Sequence, residues 1–513
     1  MKKKKTLSCV IAMVLMAVFL VGCTTSNEPR NTSSPDSQST NYQTVNEEKP
    51  TLRILGYNAS FDPNTDLMAS EIAKSTGYSA EYFMLPAENA DEKLNTELSS
   101  GSNYDIVMLL SSQYYKLVGQ GALLPLDDLL NEHGEYIKAA VQDSTWKACT
   151  YEEQIYALPF RKEYTKDVTD FIFARKDIIE EAGKKIPTTL DEFYDVLKAI
   201  KEKRSDLIPF TGPNSTEAMA GSSGVLSPTI NSAFGIYNVW QEVDGKLVNM
   251  LKHPRMKDVL TFMNKLYAEG LCDADWPINT GTIINEKFSS GNAAMAMSNR
   301  NTATVLLPVI RENLPDSELA YILPLIGANG EQGAKCEDSI VVFSCIPKNS
   351  KNAAHAMKFM NLKQKPDNFL YLTLGVEGTH FSRDSEEYIP IMPIFSDERT
   401  NSYWYLTSID EYNYPTMWMS RVRKNADMWE IFEKVSLASD DIAVSNPLGY
   451  MPPNAEISKY QQSLDKMAND YYLKVITDAE PISSYDEFVK QWDAAGGEQL
   501  TNEINSWYLN YNK

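Results

Sequence analysis

Arg161 and Glu163 stand two residues apart after the apolar run "QIYALPF", and Asn299 and Arg300 follow the apolar run "AMAMS". A guanidinium grips a carboxylate with two parallel hydrogen bonds, and Glu or Asn side chains accept hydroxyls, so these positions suit ligand binding. Spacings that suit catalysis are missing. The four histidines, His133, His253, His355 and His380, show no H-x-x-H or H-x₃-H gap for zinc. Asp62, Asn64 and Asp66 begin like a calcium loop, but Leu67 replaces the turn glycine and Ala73 the closing glutamate, so the stretch reads as a turn and a helix cap. There is no G-x-S-x-G, H-E-x-x-H or phosphate-binding loop. With 69 Asp and Glu, a hydrolase's carboxylate pair can be imagined anywhere, so the count carries no information. The sequence calls for no catalytic residue, no metal and no cofactor.

Cys23 is a thiol at a boundary. Lys2–Lys5 precede an uncharged apolar stretch, Val10 to Val21, that is too short to span a bilayer. It ends Leu20-Val21-Gly22-Cys23, which resembles the bacterial lipobox. That resemblance implies cleavage after residue 22, a diacylglyceryl group on Cys23, and stable anchoring by more than one acyl chain. Residues 23–50 hold almost no apolar side chain and read as a disordered tether reaching roughly 30 Å.

The body that follows is globular in composition, with 43 % hydrophobic and 11 % aromatic residues. The formal charge is −21 and becomes four units more negative once the leader lysines are gone. Such a body does not bind nucleic acid non-specifically, and it is repelled by an anionic bilayer, so the lipid must anchor it. Cys149, Cys272, Cys336 and Cys345 are too scattered for a disulfide framework. Cys336 and Cys345 could pair across a hairpin, but buried free thiols suit the pattern better.

The elements that must position these residues alternate strand and helix. "TLRILGYN" (51–58), "YDIVMLLSS" (104–112), 154–160 and 170–178 read as strands, as do 293–298, 320–326 and 339–346. Continuous apolar strands imply a parallel sheet covered on both faces. Thr189 with Glu192, and Ser484 with Glu487, form capping boxes, and Gly496 marks a helix stop. The class is α/β. Ligands in such sheets sit at strand carboxyl ends, which nominates Asn58, Ser60, Ser111 and Ser112.

"YALPF…FIFARKDIIEEAGKKIPTTLDEFYDVLKAIK", "DGKLV…MKDVLTFMNKLYAEGLCDADW" and "FSSGNAAMAMSN" follow one another in the order found in family 1 extracellular solute-binding proteins of ABC transporters. "LGVEGTHFS" (374–382) and "SYDEFVKQWDAAGGEQLTNEINSWY" resemble the large lipoprotein branch of that family, which includes aldouronate-type carbohydrate binders. "FRKEYTKDVTD" departs from it, being charged where many relatives are polar or aromatic. The resemblance implies a two-lobed, periplasmic-binding-protein-like fold of type II, similar to maltose-binding protein, with a ligand cleft between the lobes. Lobe one would hold 51–160 and 318–385, and lobe two 165–315 and 386–513. A monomer would trap a carbohydrate, commonly an oligosaccharide, and dock on membrane permease subunits. The anchor would hold it on the outer face of a Gram-positive cell membrane. The alternatives are the same fold carrying a peptide or signal molecule, and a surface-tethered glycoside hydrolase.

A sugar presents hydroxyls and an apolar C–H face, so its receptor needs polar side chains and flat rings. Trp240, Trp276 and Trp404 lie in loop-like, polar settings and are the stacking candidates; Trp492 and Trp507 fit helical stripes and read as core. Arg161 and Arg300 together would favour an acidic sugar. Glu377, between Val376 and Gly378, either accepts hydroxyls or caps a helix.

Overall fold

Leu52 and Ile54 point to one side of the strand Leu52–Gly56 and Leu55 to the other, and all three are buried. The same alternation separates Ile106 and Met108 from Val107 and Leu109 in the strand Ile106–Leu109. A strand's side chains alternate between faces, so apolar residues at every position demand cover on both. The computed structural model, which describes residues 48–214, 225–453 and 455–511, supplies that cover. Helices Leu67–Thr76 and Ala353–Gln364 pack on one face and helix Ser111–Gly119 on the other. The leader, Cys23 and nearly all of the tether lie outside the described residues.

The first sheet has five strands, in the order Ala80–Met84, Leu52–Gly56, Ile106–Leu109, Ile340–Cys345, Leu158–Arg161. The first three run parallel. Ile340–Cys345 runs antiparallel to both its neighbours, so the sheet is mixed rather than all parallel. The second sheet has three antiparallel strands, Met295–Asn299, Asp170–Arg175 and Leu319–Ile322.

Each sheet has its own hydrophobic core. Residues from Leu52 to Phe160 and from Ile340 to Met417 build the first lobe, and Val168 to Cys336 with Ile431 to Ile504 the second. Two segments fall on the other side from the expected division. Leu319–Ile322 pairs with Asp170–Arg175 in lobe two, and Phe395 to Met417 packs in lobe one. Strand partners and core contacts, which no local pattern states, fix both assignments. The chain therefore crosses between lobes three times, at 161–168, 336–340 and 417–431.

Local signals held unevenly. Thr189 accepts from the Glu192 backbone N–H and Glu192 reaches back, so helix Leu190–Lys203 starts in a true capping box. Asp66 caps helix Leu67–Thr76 by accepting from Met68 N, as the turn reading of 62–66 expects. Ser484 makes no cap bond; its hydroxyl donates to the Pro481 carbonyl, and helix Tyr485–Trp492 grows out of a preceding tight turn instead. Gly496 does break the helix, at φ 121°, and a new helix, Glu498–Tyr511, follows at once. The four described cysteines are free and buried. Among the described residues, no helix is long and apolar enough to cross a membrane.

Candidate functional site

Four strands of the first sheet end at one edge, at Met84, Gly56, Leu109 and Arg161, and the antiparallel strand begins there at Ile340. Two of the crossings leave from this edge, so it faces lobe two. Asn58, Ser60 and Ser112 are exposed along it, as the strand-end argument expects. Leu110 beside them is 47 % exposed. Ser111, Tyr115, Ser339 and Tyr450 line a cavity of about 140 Å³ here.

Arg161 organises the middle of the edge. Its Nε and Nη2 donate to the two carboxylate oxygens of Asp338, each at 2.7 Å. Its Nη1 donates to Gln142 Oε1 at 3.1 Å and to Glu411 Oε2 at 3.2 Å. Asp338 also accepts the Tyr450 hydroxyl. Burial opposes the arginine's charge, but the Asp338 hydrogen bonds and the nearby carboxylates hold its pKa above the ordinary value. Glu411 takes further hydrogen bonds on Oε2 from Thr145 Oγ1 at 2.8 Å and Gln142 N at 3.2 Å. Its side chain is 1 % exposed, and burial raises its pKa against those bonds. Its other oxygen, Oε1, is buried with no hydrogen-bond partner among the described residues. Arg161, Glu163, Tyr164, Lys166 and Glu411 line a second cavity of about 210 Å³.

Glu163 is buried at the first crossing, close to Tyr403 and Tyr57. Burial, and then this carboxylate, push the phenol pKa values of Tyr403 and Tyr57 upward. Trp404 sits behind Tyr57, donating Nε1–H to its carbonyl at 3.1 Å. A Cβ on Gly56 would lie 2.6 Å from the Trp404 ring, so the strand must end in glycine for the indole to fit. The first crossing carries Tyr164 and Lys166, which both donate to Asp440 of lobe two, at 2.6 and 2.7 Å.

Several expected contacts are engaged elsewhere. Trp276 is fully buried, donates Nε1–H to the Pro213 carbonyl at 2.9 Å, and packs on Phe210. Trp240, in the strand Trp240–Val243, belongs to the lobe-two core, and Trp404 to the lobe-one core. None of the three offers an open ring face: indole is large and apolar enough to be drawn into a core even from a polar stretch of sequence. Arg300 is clamped by both oxygens of Asp167 and also donates to Ser436 Oγ. Asn299 caps helix Arg300–Asn313 by accepting from Thr302 N. Its cross-strand neighbour Asp170 is buried, and burial pushes that carboxyl up to about 6. Glu377 is exposed and takes Arg383 Nε at 3.2 Å on a hairpin.

Asp338, Glu411, Gln142, Tyr403 and Tyr450 were not legible as site residues, because each reaches the edge through long-range packing. The half-buried rings Trp418 and Trp429 both pack against Phe432 at the third crossing, in the aromatic-rich last third of the sequence. Among the described residues, no cluster of three or more His, Cys, Asp or Glu is arranged to hold a metal ion.

Comparison with known proteins gives this architecture a context. An uncharacterised protein from the butB 5′ region of Niallia circulans is 40 % identical over half of this chain and all of its own length. The polygalacturonan/rhamnogalacturonan-binding protein YtcQ of Bacillus subtilis strain 168 is 23 % identical over 86 % of this chain and 88 % of its own. The structure of the ABC-transporter substrate-binding protein FusA of Streptococcus pneumoniae, in complex with kestose, superposes with a TM-score of 0.62 at 18 % identity, covering 90 % of this chain and 99 % of that one. This two-lobed architecture is thus the fold of solute-binding proteins. The model of the bacterial extracellular solute-binding protein family matches residues 68–377, well over half of the sequence, and the chain belongs to that family.

Proposed function

We propose that this protein captures a carbohydrate, an oligosaccharide, between its lobes and hands it to the permease of an ABC importer from the outer face of the cell membrane. The observation that carries the reading is that both lobes contribute to the walls at the sheet edge. Ser111 and Phe343 of lobe one and Met451, which packs on the lobe-two core, border one cavity. Gln142 and Glu411 of lobe one border the other, with the first crossing. Family membership and the sugar ligands in the names of YtcQ and of the FusA complex support the ligand class. Exposed Asn58, Ser60 and Ser112 remain candidates for hydroxyl contacts.

The cavities, about 210 and 140 Å³, are smaller than the roughly 300–1,000 Å³ of a typical small-molecule site. An oligosaccharide enters only if the lobes part, and it then holds them together. Small-angle scattering of the full chain should show a smaller radius of gyration with a saturating oligosaccharide than without one. An unchanged radius despite measured binding would rule out capture by closure.

The tether reading places the anchor at Cys23. Cys23→Ser removes the acylated thiol and should move the protein from the membrane fraction to the medium. A variant that still needs detergent for extraction would refute lipid anchoring at this residue.

A further inference from the structure

Both arginines that could have gripped an acidic ligand are already engaged by internal carboxylates. Arg161 is held two-pronged by Asp338 and touches Glu411, and Arg300 is held two-pronged by Asp167. Lys166 is paired with Asp440. Arg421 packs near Tyr403, but its guanidinium donates to the backbone carbonyls of Arg399 and Thr400 and to Ser402 Oγ. Around the larger cavity, the cations Arg161, Lys162 and Lys166 meet the carboxylates Glu163 and Glu411 in the wall and Asp338 and Asp440 directly behind it. With Arg421 counted, four cations meet four carboxylates, so the charges balance and no excess of positive charge is left for an acidic ligand.

The second, independent observation is the orphan oxygen. Glu411 is more than nine-tenths buried, it walls the cavity, and its Oε1 has no partner among the described residues. A buried acceptor without a donor is costly, and a ligand that supplies the donor recovers that cost. A sugar hydroxyl is such a donor. A ligand carboxylate is not, and burying it is costly where the arginines are already held by internal carboxylates.

We infer that the cleft selects neutral, hydroxyl-rich oligosaccharides and discriminates against those bearing uronic acids. The inference rests on the carbohydrate reading above and sharpens it.

The test is calorimetry on the full chain with two length-matched probe sets at neutral pH: neutral gluco-, galacto-, manno-, xylo- and fructo-oligosaccharides, and oligogalacturonides with aldouronates. The expected result is that at least one neutral probe binds and that every acidic probe of its length binds at least tenfold more weakly. An acidic probe that binds as tightly as the best neutral one overturns the selectivity and leaves the carbohydrate reading standing. If no probe of either set binds, the carbohydrate reading fails and the selectivity with it. Asp338→Asn, checked for a native circular dichroism spectrum, should release Arg161 and narrow the gap several-fold. A folded variant with the wild-type gap overturns the part assigned to this charge balance.

Discussion

Trp276→Ala will destabilise lobe two by about 3–5 kcal/mol, the cost of emptying a fully buried large aromatic site. The indole has no exposed surface, it packs 5.4 Å from Phe210 centroid to centroid, and a Cβ on Gly212 would lie 2.5 Å from its Cζ2. That contact shows how tightly the neighbouring backbone is drawn over the ring. Truncation also leaves the Pro213 carbonyl without its 2.9 Å donor, which adds about 1 kcal/mol. The polar shell around the ring limits collapse into the gap. Asp273 Oδ2 is fixed by Thr211 Oγ1, Asn279 Nδ2 and Lys287 Nζ at 2.7 to 2.9 Å, so the walls cannot move in without breaking those bonds. Urea unfolding followed by circular dichroism is the measurement. A midpoint within error of wild type would mean the ring is not the structural element its burial makes it.

The three tryptophans also mark what a sequence conveys and what it withholds. Trp276 follows "LCDAD" and precedes a proline, so its neighbours are polar, but its burial depends on Phe210 and Gly212, more than sixty residues upstream. Short-range chemistry was readable. Thr189 and Glu192 cap their helix as their spacing requires, and Asp66 caps the helix that follows the 62–66 turn. The strands at 52–56, 106–109, 170–175 and 340–345 followed from apolar runs bounded by polar residues. The strand-end rule placed Asn58, Ser60 and Ser112 along the edge that faces lobe two, because a strand's direction and end are local properties. The polar partners that define the site are different. Asp338 and Glu411 lie 177 and 250 residues from Arg161, beyond any periodicity, and only the packed lobes bring them within 3.2 Å. The lobe division failed at 318–336 and 386–417 for the same reason: which core a segment joins is decided by its strand partner or its facing helix.

Arg161→Met will cost about 3–5 kcal/mol at neutral pH, the range for removing one partner of a buried ion pair. Methionine keeps most of the side chain's length and packing, so the loss is mainly electrostatic. Asp338 loses two hydrogen bonds of 2.7 Å and Glu411 loses one of 3.2 Å together with its cation. The arginine is 12 % exposed and the two carboxylates 15 % and 1 %, so water replaces little of what is removed. The deficit should depend on pH, in a direction fixed by Glu411. Burial already raises its folded pKa, and removing Arg161 raises it further. A carboxyl whose folded pKa lies above its unfolded value of about 4 is most favourable to the native state below that value, and the advantage is lost as pH rises through the folded pKa. The variant should therefore approach wild-type stability near pH 4 and fall away as pH is raised toward 7. Adding Glu411→Gln to Arg161→Met removes the titrating group and should flatten much of that dependence while recovering part of the stability at pH 7. Chemical denaturation midpoints at pH 4, 5, 6 and 7 for wild type, Arg161→Met and the double variant would decide it. A loss below about 1 kcal/mol with no pH dependence would show that the lobe-one edge does not depend on this arginine to neutralise its buried carboxylates.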